Sequence, residues 1–182
     1  SLVGQPIPQA IDVDRYRSPG SRRKVLVPAR HRAALAGVAL VARTDYESFS
    51  LVETDDARAA ERLRGAVPAD YLNLILLDAA ALDTRAHDAV QLAARTATFV
   101  DGKAMWLVQF SGPVTAEGRE ALQRTGVTVV TAMPFDAYLV YGDADQSRRL
   151  QSLRRQRPDI QFLAPYAAEQ RIGPEAAADA GG

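Results

Sequence analysis

The sequence predicts an α+β protein made of two β-α-β-β-α-β units in tandem, each an antiparallel sheet with helices on one face. Three observations predict it. Apolar strand candidates and polar helical segments alternate in that order within residues 103–166, which is the split βαβ pattern. A weaker version of the order occupies residues 23–78. The composition, 47% hydrophobic and 24% charged, is that of an ordinary globular chain.

The first unit follows a lead-in and is predicted from short apolar runs separated by turn residues. Residues 1–22 contain several prolines and scattered charges, a pattern typical of a flexible, extended segment. Gly37 suits the residue that ends a helix in the left-handed conformation. The expected elements of residues 23–78 are strand Lys24–Val27, helix His31–Ala36, strands Val38–Arg43 and Phe49–Val52, helix Asp56–Arg64 and strand Tyr71–Leu77.

Residues 79–102 are expected to join the two units. This stretch is rich in alanine and only weakly periodic. It is predicted to be either a linker helix or an irregular crossover.

The second unit, residues 103–166, carries stronger local signals. Thr115 suits a helix N-cap, and Gly126 suits the left-handed position that follows that helix. Asp143 and Gln146 have the spacing of a capping box before a second helix, and Pro158 ends that helix. The expected strands are Met105–Phe110, Val127–Ala132, Ala137–Tyr141 and Ile160–Ala164, and residues 167–182 are expected to be an extended, flexible tail.

The two units also match each other in register. When Gly37 is aligned with Gly126, Phe49 meets Tyr138 and Asp56 meets Asp145. Such internal similarity indicates either a degenerate duplication or two independent units of similar topology. Both interpretations predict two ferredoxin-like βαββαβ units in tandem.

The strands of the second unit are apolar on both faces. Large side chains such as Trp106 and Tyr138 are expected on the face away from the helices. An antiparallel sheet with helices on one side usually leaves its other face to water. A second apolar face therefore predicts a protein partner.

Composition excludes several classes of function. The formal net charge is zero and there is no cysteine, which argues against a nucleic-acid binder and excludes disulfides, thiolate metal sites and a cysteine nucleophile. The two histidines, His31 and His87, lie near no serine motif, so no catalytic residues are predicted. No metal-ligand pattern, phosphate-binding loop or membrane-spanning run is evident, and no cofactor is expected. The arginines of residues 148–157 are interpreted as a solvated helix face, with contact to an acidic partner or nucleic acid as the alternative.

The segments VQFSGPVTAEGREAL, TGVTVV, AYLVYGD and IQFLAPYAAEQRIGP, within residues 104–172, together resemble the N-terminal propeptide of bacterial subtilisin-like serine proteases. The resemblance implies a secreted chain, not itself an enzyme, that acts as an intramolecular chaperone and temporary inhibitor. The implied partner is the subtilisin-like catalytic domain of the same serine endopeptidase precursor, and any calcium is expected to belong to that domain. The sequence departs from the family pattern after the last strand, where Ala164-Pro165-Tyr166 replaces the usual acidic residues.

Carried onto this sequence, the resemblance implies two binding elements. The sheet would dock on the catalytic domain, and the C-terminal tail would lie in the substrate cleft with Gly182 just before the scissile bond. The tail residues are Asp179, Ala180, Gly181 and Gly182, and the docking face is Trp106, Val108, Phe135, Tyr138, Val140, Tyr166 and Glu169.

Two other functions fit the residues. One is a stand-alone inhibitor or chaperone of proteases encoded elsewhere. The other is a regulatory module that binds a small ligand between two ferredoxin-like units.

Overall fold

The computed structural model describes residues 11–77 and 80–167, together with the backbone of Gln5–Pro6. The protein is α+β with antiparallel sheets, and the chain divides into two compact units. The N-terminal unit comprises residues 8–73, and the C-terminal unit comprises residues 74–182 together with residues 1–7. Strand β1 (Gln5–Pro6) therefore precedes the N-terminal unit in sequence but belongs to the C-terminal one.

The N-terminal unit is a four-stranded sheet covered on one face by short helices. Its core joins Val25, Val27 and Val52 of the sheet to Leu35, Ala60 and Leu63 of the helical segments. The strand order is β3-β4-β2-β5. The elements are β2 (Arg23–Pro28), a 3₁₀ helix (Ala29–Leu35), β3 (Ala42–Asp45), β4 (Phe49–Thr54), α1 (Ala57–Arg62), β5 (Val67–Pro68) and a second 3₁₀ helix (Asp70–Asn73).

Buried Asp70 fixes the start of this unit. Its carboxylate accepts hydrogen bonds from the backbone N–H of Ser18 at 2.9 Å and of Lys24 at 2.7 Å, and Arg23 Nη1 lies 3.5 Å away. Because these donors lie on both sides of residues 19–22, one side chain fastens the end of the lead-in to strand β2. Part of the lead-in expected to be flexible is therefore held in place.

The C-terminal unit consists of a four-stranded sheet with a layer on each face. The sheet has the order β11-β8-β10-β9, and all its pairs are antiparallel. A smaller sheet has the order β1-β7-β6. The elements are β6 (Leu74–Leu77), β7 (Ala80–Asp83), α2 (His87–Ala93), β8 (Lys103–Phe110), α3 (Ala116–Arg124), β9 (Thr128–Met133), β10 (Ala137–Asp143), α4 (Ala144–Gln156) and β11 (Ile160–Tyr166).

Helices α3 and α4 cover the first face of the large sheet. Trp106, Val108 and Val140 pack there with Leu122 of α3 and Leu150 of α4. The predicted caps are present: Thr115 accepts a hydrogen bond from the N–H of Gly118, and Asp143 and Gln146 form a complete capping box.

The second face is covered by β6, β7 and α2. Leu107 and Phe162 of the sheet pack there with Ile75 of β6, Leu82 of β7 and Leu92 of α2. We call β6, β7 and α2 the covering layer. The apolar second face of the sheet therefore has a partner within its own unit.

The structure corrects three predictions about the units. Leu74–Leu77, expected to close the first sheet, forms β6 of the C-terminal unit; β5 pairs with β2 instead. Residues 79–102 are not a simple linker, since they contain β7 and α2. Helices were expected on one face of the second sheet only, but α2 packs on the face opposite α3 and α4. A run such as Leu74–Leu77 indicates a buried strand without indicating which sheet it joins.

Candidate functional site

The residues predicted to form one docking face lie on different surfaces of the C-terminal unit. Trp106 is 3% exposed, and Val108 and Val140 are fully buried, all beneath α3 and α4. Trp106 donates its indole N–H to Ser147 Oγ of α4 at 3.1 Å. The expectation that Trp106, Val108 and Val140 point outward is therefore wrong. Alternation along a strand with large apolar side chains on both faces does not reveal which face receives the helices.

Tyr138 and Tyr166 are half-buried on opposite faces of the sheet. Tyr138 lies on the helix-covered face, where its ring meets Phe110 edge-on at 6.1 Å. Burial, followed by the negative charge of Asp136, raises the pKa of the Tyr138 phenol above its ordinary value of 10.0. Tyr166 packs against the cluster beneath the covering layer. The predicted tail residues Asp179, Ala180, Gly181 and Gly182, and also Glu169, lie outside the described residues.

Phe135 lies in the turn between β9 and β10. Phe135 and Asp136 have φ values of 65° and 57°, a left-handed conformation that costs a non-glycine residue on the order of 1 kcal/mol or more. Asp136 holds the turn through its carbonyl, which accepts from the N–H of Phe110 at 3.0 Å, and its carboxylate, which accepts from the N–H of Val114 at 3.2 Å. Phe135 is thus part of a tightly restrained turn.

Gln109 is a buried polar centre that the sequence reasoning did not single out. Its amide N–H₂ donates to the carbonyls of Leu74 at 2.9 Å and Phe135 at 3.2 Å, and its Oε1 accepts from Thr84 at 3.1 Å and Gln161 at 2.7 Å. These bonds connect the sheet, the β9–β10 turn and the covering layer. The signal available in the sequence was a single amide in the apolar run MWLVQF.

Strand β9 is the exposed edge of the large sheet. Residues 128–132 are all exposed, and Val129 and Val130 are 47% and 51% exposed, respectively. The strand carries no charge and no proline. It has one irregularity, a bulge that leaves Val130 outside the ladder with β10. We call Thr128–Met133 the β9 edge.

The three other edges of the four-stranded sheets are protected. Strand β3 carries Arg43 and Asp45, and β5 has only two residues, one of them proline. Strand β11 contains Pro165 and packs against α2. Charge, shortness, proline and covering elements are the usual means by which proteins prevent unwanted strand pairing. The β9 edge is therefore the surface of these sheets best suited to backbone pairing.

The N-terminal unit contains a cavity of about 210 Å³. Val25, Ala60 and Pro68 contribute apolar walls, and Arg17, Arg23 and Glu61 contribute charged groups. Asp70 also lines the cavity, but its carboxylate already accepts two backbone hydrogen bonds. Arg17 and Arg23 each donate to backbone carbonyls through Nη1. Their other N–H groups and the carboxylate of Glu61 suit a small polar ligand.

The two histidines and the arginines of α4 were not predicted to form a functional site. His87 is exposed at the start of α2, and His31 is half-buried beside Gly65. The arginines of α4 largely contact neighbouring groups: Arg148 pairs with Asp145, and Arg154 donates to the carbonyl of Gln161. Within residues 11–77 and 80–167, no three acidic or histidine side chains converge as a metal site.

No helix in the described part of the chain combines the length and the apolar character needed to cross a membrane.

Comparison with curated proteins found no match. Comparison with solved structures also found none. One family model matches residues 75–167, about half of the chain. The matched range begins within β6, so it includes the covering layer as well as the large sheet. The chain therefore belongs to the family described as Domain of unknown function (DUF8729).

Proposed function

We propose that this chain is the propeptide of a secreted subtilisin-like serine protease, acting as a chaperone during folding of the catalytic domain and as its temporary inhibitor. The sequence resemblance of residues 104–172 supports the proposal. The structural observation that carries it is the position of the last described strand. Strand β11 is an outer strand of the sheet and ends at Tyr166, so in this proposal the tail begins at an edge of the sheet.

The strand orders support a tandem ferredoxin-like architecture as part of this proposal. Numbered within each unit, β3-β4-β2-β5 and β9-β10-β8-β11 both read second, third, first, fourth. Both units also alternate strands and helical segments in the order β-α-β-β-α-β, with a 3₁₀ helix as the first helix of the N-terminal unit. A duplicated unit that diverged in helix length accounts for this agreement.

Inhibition would depend on the C-terminal tail, because both faces of the large sheet are already covered. The covering layer occupies the second face of the sheet, and α3 and α4 occupy the first. A catalytic domain would therefore contact the end of β11 and the tail. The tail would bind as an added strand in the substrate cleft, where main-chain hydrogen bonds provide affinity and the small residues Gly181 and Gly182 allow close backbone approach.

The chaperone part has a physical basis in folding kinetics. Domains with many long-range contacts fold slowly. A preformed module that binds only the native-like state stabilises that state by mass action. No further chemistry is required of the chain.

Inhibition of a bacterial subtilisin tests the proposal. Hydrolysis of a chromogenic peptide is measured while the protease is titrated with the intact chain. We expect competitive inhibition in the nanomolar range. A matched chain ending at Ala167 should keep its fold and lose the inhibition. The proposal fails if the intact chain leaves hydrolysis unchanged, or if the shortened chain inhibits equally well.

The cavity in the N-terminal unit favours a second candidate, a regulatory module that binds a small ligand. A guanidinium from Arg17 or Arg23 would hold a carboxylate, and Glu61 would hold an ammonium group. Thermal-shift measurements with each free amino acid would identify such a ligand. Loss of the shift in Arg23→Gln, but not in Arg43→Gln outside the cavity, would place it there. The absence of a shift with every amino acid would reject that ligand class.

A further inference from the structure

We infer that the β9 edge pairs antiparallel with the same edge of a second copy, joining two C-terminal units into one continuous sheet. This inference stands apart from the proposed protease partner, because it depends only on residues 103–167. It begins from the contrast among the four sheet edges, of which the β9 edge alone has neither charge, proline, extreme shortness nor a covering helix among the described residues. An exposed strand of this kind is a template for pairing with another strand.

The charge pattern favours a second copy as the occupant. In a twofold antiparallel pair a residue at or beside the axis lies next to its own copy, so a lysine or glutamate there would bring like charges together. Charged residues make up 24% of the chain, yet Thr128–Met133 contains none. Threonine and valine, which make up most of this edge, are residues that favour paired strands.

Exposed apolar surface adds to the argument. Val129 and Val130 are about half exposed in the single copy. Pairing of the two edges would satisfy exposed backbone groups and reduce the exposure of the valines that border the paired segment. The bulge at Val130 interrupts the ladder with β10, so the pairing should centre on the regular segment, Thr131–Met133. A short pairing segment predicts a reversible dimer.

The opposite edge of the sheet explains why assembly should stop at two copies. Strand β11 contains Pro165, which lacks a backbone N–H, and α2 packs against it. The large sheet of each copy therefore offers one edge for pairing, and a twofold arrangement uses that edge of both copies. A closed dimer is expected, without growth into fibres.

Analytical ultracentrifugation of the full chain tests the inference, from low micromolar to near-millimolar concentration. We expect a reversible monomer–dimer equilibrium. Thr131→Lys and Ala132→Lys should each weaken dimerisation by about tenfold or more, because in a pair centred on Thr131–Met133 the two introduced lysines would lie at or beside the twofold axis. Val90→Lys is the matched control, since Val90 is 60% exposed on α2 and should leave the equilibrium unchanged. Tryptophan fluorescence confirms that each variant is folded.

Single cysteines give a second, independent measurement. The chain has no cysteine, so Thr131→Cys or Ala132→Cys introduces a unique thiol at the proposed axis. At least one of these variants should form a disulfide-linked dimer on mild oxidation, while Val90→Cys should not. The inference is overturned if the wild-type chain stays monomeric throughout. It is also overturned if Val90→Lys dissociates the dimer as much as the edge variants, or if neither edge cysteine cross-links.

Discussion

Replacement of Gln109 by methionine should destabilise the C-terminal unit strongly, although methionine has a similar size and shape. Gln109 is fully buried, and its amide makes four hydrogen bonds to groups from three parts of the unit. A buried hydrogen bond contributes about 1 kcal/mol net, which gives about 4 kcal/mol for the four. Thr84 and Gln161 are half-buried and can partly turn to water, so we expect a loss of about 2–4 kcal/mol.

The measurement is urea denaturation followed by the fluorescence of Trp106, the single tryptophan of the chain. Trp106 lies in the same unit, in the cluster beneath α3 and α4, so its fluorescence reports the unfolding of that unit. Gln123→Met, on the exposed surface of α3, is the matched control and should change the free energy of unfolding by less than about 0.5 kcal/mol. A Gln109→Met variant as stable as this control would refute the view that the amide network holds the covering layer on the sheet.

Three further predictions concern single side chains. Asp70→Ala should destabilise the N-terminal unit by about 2–4 kcal/mol, because it leaves two backbone N–H groups without their charged acceptor; urea denaturation followed by circular dichroism measures it. Asp143→Ala removes the capping box of α4 and should cost the C-terminal unit about 1 kcal/mol, read from Trp106 fluorescence in urea. Tyr138 has a folded-state pKa above the ordinary 10.0, so its contribution is complete below about pH 10 and is lost as the pH rises through the folded value. Tyr138→Phe should therefore lose less stability between neutral and strongly alkaline pH than the wild type.

Each of these predictions has a control or a result that would contradict it. Asp88→Ala removes a carboxylate in the first turn of α2, which has no side-chain cap, and should cost less than Asp143→Ala. For Tyr138, equal alkaline destabilisation of wild type and Tyr138→Phe would assign the effect to other groups, such as Tyr71, whose pKa is also raised by burial. For Asp70, a variant that unfolds at the wild-type urea concentration would contradict the role given to its two backbone bonds.

The large sheet of the C-terminal unit was predictable because its signals are local. The threonine and aspartate caps at Thr115 and Asp143 fix where α3 and α4 begin. Gly126 adopts a φ of 82°, as the predicted helix end requires. These features depend on neighbours within a few residues, so the sequence around each one suffices.

The covering layer and the facing of the strands were not predictable in the same way. The run Leu74–Leu77 is apolar at every position, and its partner β7 lies in a segment of mostly small residues. Which sheet such a strand joins, and which side of Met105–Phe110 receives helices, depends on the packing of residues distant in sequence. The buried amide of Gln109 likewise has meaning only once Leu74 and Phe135 are adjacent to it. The packing of residues distant in sequence therefore determines which sheet β6 joins and which face of the large sheet receives the helices.

The covering layer also determines how short a C-terminal fragment can be before its sheet exposes apolar core residues. A chain beginning at Lys103 would retain all four strands of the large sheet and both of its capped helices, yet Leu107, Phe162 and Ala164 would face water. Such a fragment would be prone to aggregate despite having a complete βαββαβ order. The family match starts at Ile75, so the matched segment includes the strands and the helix that bury this face of the sheet.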